Sequence, residues 1–288
     1  MISKLKKIYK HKDKFDIYNK ANYFFTSNPI YKVNKFITNI DEKLTKNFKE
    51  NLEDILIVND YLGDSLTEYD HITNTLYCNR KDGDIFGLLH VASNDRTKPN
   101  SGIIIDNDIG YGINNGLTEV FKNDIEYNDF SYQLEATIAK TLLMIDSKLV
   151  TYSYFNNDGE ALKRLSNSIK ALMIYTDLYH NNNIKIMSLY NQKLTNNIER
   201  FKTLDRKKII RVTNERICKL ETENINNVSL IFGHLINIIK SSNLEELEKQ
   251  DLYIRLYNEF DEMFKEERYN YLNELTEEFD KHIYVKKR

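Results

Sequence analysis

Over most of the second half of the chain apolar positions recur at intervals of three and four, and in one short stretch of the first half they recur at intervals of two. The first spacing predicts helices that bury one stripe, the second a half-buried strand. From "SYQLEATIAKTLLMID" to the C-terminus the pattern is almost wholly helical. Its last stretch places Phe260, Phe264, Tyr271, Leu275, Phe279 and Ile283 on one stripe. In "EYDHITNTLYCN", Ile72, Leu76 and Cys78 alternate with polar neighbours and predict a strand. "NLEDILIVNDYL" fits either a strand or a buried helical turn. Residues 1–50 read as lysine-rich, mainly helical material broken at "TSNPI", where Pro29 lacks an amide hydrogen and biases Asn28 away from helix.

The punctuation falls between these elements. "RKDGD" ends the strand, and Asp82 or Asp84 is placed to cap a helix through "IFGLLHVAS". "NDRTKPNSGIIIDNDIGYG" holds Pro99, Gly102, Asn107, Asp108, Gly110 and Gly112, and reads as a loop leading into a hairpin. A further helix is expected from near Ile113 in "GINNGLTEVFKNDI". Together the elements predict an α+β protein, predominantly helical. A lysine-rich segment occupies 1–50, a small α+β unit 51–155 and a helical region 156–288.

Composition narrows the function classes. At 288 residues and 41% hydrophobic content the chain can bury a large core without staples. A formal charge of -2 gives no global field for nucleic acid or membrane. The basic stretch "FKTLDRKKIIRV" and the lysines of the first fifty residues read as solvated helix faces rather than a phosphate footprint. Two distant cysteines, Cys78 and Cys218, form no zinc-knuckle spacing and suit a reducing cytoplasm. No apolar run reaches signal-peptide or membrane-span length, so a cytoplasmic location without membrane association is expected. P-loop, GxGxxG and GxSxG patterns do not occur.

The chemistry-bearing windows are "IFGLLHVAS" and "GYGINNGLTEVF". They resemble the zincin-like metallopeptidases of bacteria, whose helices read approximately "LHELxHxAS" and "GxGLNEGLTEY". In that class two histidines four residues apart hold zinc, a glutamate after the first is the general base, and a glutamate of a second helix is the third ligand. The resemblance extends from "YDHITNTLYCN", which looks like the edge strand before the active-site helix, to "YQLEATIAKTLLMI", which looks like the helix packed behind it.

Carried over residue by residue, the pattern is dismantled. Phe86 stands at the first histidine, Gly87 at the catalytic glutamate and Asn115 at the ligand glutamate, while His90 keeps the second histidine and Glu119 the supporting acid. Phenylalanine offers no donor, glycine moves no proton, and a neutral amide oxygen is a poor zinc ligand. His71 has no spacing that recommends it as a replacement. The resemblance therefore implies a catalytically inactive homologue without metal or cofactor, its vestigial site comprising Phe86, Gly87, His90, Asn115 and Glu119. Phe86 is expected to plug the former cleft, and His90 to serve as a core histidine bonded to Glu119. A binding, regulatory or scaffolding role with a protein partner follows. The alternatives are an active zinc peptidase with a non-standard ligand set, and a helical interaction module unrelated to peptidases. In the last case the helices bearing His90 and Glu119 need not lie across one another.

Overall fold

The structure, a computed structural model, describes residues 28–59, 67–70, 72–78, 85–92, 102–105, 109–127, 130–199 and 205–264. In chain order the elements are α1 (Asn28–Ile37), α2 (Glu42–Asp54), β1 (Leu56–Asn59), β2 (Thr67–Asp70), β3 (Thr75–Cys78), α3 (Ile85–Ala92), α4 (Tyr111–Ile125), α5 (Gln133–Phe155), α6 (Gly159–Leu162), α7 (Ile169–Glu199), α8 (Asp205–Ser241) and α9 (Glu246–Met263). The described residues are predominantly helical with one small sheet, which is the α+β class expected. Two compact units divide between Arg164 and Leu165. No helix among the described residues is long and apolar enough to cross a membrane.

In the first unit the sheet has the order β1–β3–β2. β1 runs parallel to β3, with Leu56 opposite Thr75, and β2 runs antiparallel to it, with Thr67 opposite Cys78. The run Leu56, Ile57, Val58 is buried throughout, as a strand covered on both faces requires. Helix α3 lies on β3 and also touches α1, α2 and α4, while α4 packs on α5 and α2 packs on α5. The core between these helices is aromatic: Phe48, Phe121 and Tyr154 each meet Phe155 with ring centroids about 5 Å apart.

α5 is broken at Asp146, whose backbone leaves the helical region (φ -153, ψ 88). The Asp146 carboxylate accepts the Leu149 amide three residues on, so it caps the second half as a helix start of its own.

In the second unit α7 and α8 form an antiparallel pair, since Tyr175 meets His234 and Asn183 meets Asn224. Helix α9 joins them through Phe232 and Phe260, 5.2 Å apart and edge to face. It opens on a capping box in which Glu245 and Glu248 satisfy each other's backbone amides.

Three expectations are corrected. Ile72 is not part of a strand: it sits 81% exposed in the turn between β2 and β3, while Leu76 and Cys78 are buried in β3 as read. The turn is built by Asp70, which accepts the Ile72 amide and the Thr73 hydroxyl, and by Asn74 at φ 51. Among the described residues "TLYC" is accordingly the centre of the sheet rather than its edge, and β1 and β2 flank it. Asn28, expected to be biased away from helix, opens α1 with Pro29 in the first turn, where the missing amide hydrogen costs nothing; the residues before Asn28 lie outside those described. α1 and α2 pack with α3, and the compact unit that holds them runs to Arg164. On the final stripe Phe260 belongs to α9 and Phe264 follows it, whereas Tyr271, Leu275, Phe279 and Ile283 lie outside the described residues. So do Asp82, Asp84, Pro99, Asn107, Asp108, His71 and most of the lysine-rich first fifty residues.

Candidate functional site

The sequence "IFGLLHVA" is apolar on nearly every side, and α3 is buried accordingly, with Ile85, Gly87, Leu88 and Leu89 enclosed by neighbouring elements. Phe86 and His90 are one helical turn apart. Their rings lie 6.0 Å apart and nearly parallel, at 9°. Phe86 also meets Tyr132, the residue that precedes α5, with ring centroids 6.0 Å apart and tilted by 42°. The half-buried Phe86 thus links α3 to the start of α5.

Opposite α3, helix α4 begins after Gly110, whose φ of 122 is open to glycine. Its neighbour on the far side is set by Gly116. A Cβ there would run into the Glu135 carbonyl, so α4 and α5 cross backbone to backbone. This close crossing brings Glu119 and Glu135, each 3% exposed, into the same interior. The Tyr132 hydroxyl is held above the usual phenol range by burial, and the Glu135 and Glu119 carboxylates add to the effect.

The residue that joins α3 to α4 is Asn114. Its side-chain Nδ2 lies 3.2 Å from His90 Nδ1, and its Oδ1 accepts the Ile103 amide at 3.2 Å. Gly102, at φ 71, brings that segment so close that a Cβ would meet the Asn114 carboxamide. Below it, Thr118 donates to the Asn114 carbonyl. Burial pushes the His90 imidazole down to about 4, so the ring is neutral at neutral pH.

Of the residues singled out in the sequence, Phe86, Gly87 and His90 share α3, and Asn115 and Glu119 share α4 against which α3 packs. His90 and Phe86 touch, and Glu119 reaches the same neighbourhood through Tyr132. Asn115 is half-buried beside Asn114. His90 Nδ1 meets Asn114, one position before the expected asparagine. Asn114, Tyr132 and Ile103 went unmarked, and Gly102 was read only as part of a turn. Asn114 did carry a signal, since it coincides with the asparagine of the "GLNEGLTEY" pattern.

The donor set does not suit the zinc that the resemblance implies. At the three ligand positions stand a hydrocarbon ring, an imidazole already engaged by Asn114, and a neutral amide. Among the described residues no group of three or more His, Cys, Asp or Glu side chains is arranged to hold a metal ion. Comparisons of the chain with protein-family models, curated proteins and solved structures return no match.

Proposed function

We propose that the protein is a catalytically inactive homologue of zincin-like metallopeptidases, with a former active site now closed by packing. Its role on this reading is binding, regulation or scaffolding through a protein partner, in the cytoplasm. The observation that carries it is the Phe86 ring, nearly parallel to that of His90 with centroids 6.0 Å apart, at the position where the resemblance calls for the first zinc-binding imidazole. The packing of the Phe86–His90 helix against the Glu119 helix favours it over an unrelated helical module. Free thiols at Cys78 and Cys218 fit a reducing compartment.

Such a protein purifies without stoichiometric zinc and cleaves neither casein nor a mixed peptide library, with or without a chelator. One zinc per chain, lost together with chelator-sensitive cleavage on His90→Ala, overturns the reading in favour of a working peptidase.

A further inference from the structure

The three contacts around Asn114 fix something finer than its position. A backbone N–H only donates, so the Asn114 atom 3.2 Å from the Ile103 nitrogen is its carbonyl oxygen. The other terminal atom is then the NH2 group, which also only donates, and it faces His90 Nδ1 at 3.2 Å. Exchanging the two would set two donors against each other at Ile103. The carboxamide cannot swing away easily, because Gly102 is pressed against it.

We propose that His90 carries its one ring proton on Nε2 and uses the Nδ1 lone pair to accept Asn114, so that neither nitrogen keeps a lone pair for a metal, and that this bond ties α3, α4 and the Gly102–Ile103 segment together as an ion otherwise would. Ligation through Nε2 requires the opposite tautomer. Ligation through Nδ1 requires breaking the Asn114 contact. The inference deepens the inactive-site reading and takes its interest from it, while the geometry behind it is independent of ancestry.

The test is a long-range 1H–15N spectrum of the full chain, 15N-labelled, at neutral pH, with His90 assigned by its loss in His90→Gln. The expected pattern is an unprotonated Nδ1 and a protonated Nε2, unmoved by one equivalent of zinc chloride. A proton on Nδ1, or His90 signals displaced at one equivalent of zinc, overturns the proposal. Asn114→Asp supplies only acceptors, so the proton is expected to move to Nδ1; an unchanged tautomer there removes Asn114 from the account. If that variant fails to fold, the wild-type spectrum decides alone. Chelator-sensitive cleavage of casein by a protein whose His90 signals are unmoved by zinc leaves this inference standing and sinks the inactive-site reading instead.

Discussion

Thr118 and Tyr154 bring their hydroxyl oxygens within 2.8 Å of each other, both fully buried, across the α4–α5 contact. Thr118 already donates to the Asn114 carbonyl at 2.8 Å, so the bond to Tyr154 runs from the phenol to the threonine oxygen. Burial holds the Tyr154 hydroxyl above its usual range, and it stays protonated in the native state.

That direction makes the two partners unequal. Tyr154→Phe removes one donor and leaves Thr118 bonded to Asn114, for an expected loss of about 1 kcal/mol. Thr118→Val strands a buried phenol and is expected to cost about 2 kcal/mol or more. Urea unfolding of the two variants gives the order, and equal losses would contradict it.

Two glycines separate close approach from propensity. Gly116→Ala is expected to unfold or strongly destabilise the first unit, because the added carbon meets the backbone of Glu135 and the α4–α5 crossing has no slack. In α8, Gly233 is exposed and has nothing within 4 Å of the added carbon, so Gly233→Ala should stabilise by about 0.5–1 kcal/mol. Thermal melts of the two variants should move in opposite directions.

His90 sets an acid limit. Its native pKa is lowered from 6.5 to about 4, so between those values the unfolded chain binds a proton that the native chain does not. The stability it contributes is full above about pH 6.5 and is lost as pH falls toward 4. Because His90 keeps some solvent exposure, about 3 kcal/mol is the ceiling for this contribution. Urea midpoints at pH 7 and pH 4.5 should differ less in His90→Gln than in the wild type; an equal fall in both removes His90 as the cause.

The two thiols differ in access. Cys218 is exposed on α8 and Cys78 is buried in β3. A chromogenic disulfide reagent should modify one thiol rapidly in the native protein and the second only on unfolding, and Cys218→Ser should abolish the fast phase. Two fast thiols in the native state would contradict the placement of β3.

The long helices were legible because their apolar period is sustained: "IFGLLHVA" forms α3 and "YQLEATIAKTLLMI" forms α5, although α5 packs chiefly on α4 and not, as expected, behind the His90 helix. Short period-two runs carry less. Ile72 kept the alternation with Leu76 and Cys78 although the Asp70 turn intervenes, and the clues were local: an aspartate two and three residues before the amide and hydroxyl it accepts, and an asparagine suited to positive φ. At the site, Phe86 and His90 were placed correctly on one helix. Asn114 matches the asparagine of the resembled pattern, but its importance comes from its contacts with Ile103 and His90, which no spacing reveals.

The break at Asp146 divides the mechanical behaviour of α5. The first half is clamped to α4 at Gly116 and frames the His90 neighbourhood; the second carries Tyr154 and Phe155 into the aromatic core. A continuous helix would transmit a push at one end to the other as a rod does. Two segments meeting at an exposed aspartate are coupled instead through α4, which the first half grips at Gly116 and the second meets at Thr118 and Phe121, so a push on the first half reaches the core around Phe155 by way of α4 rather than along α5.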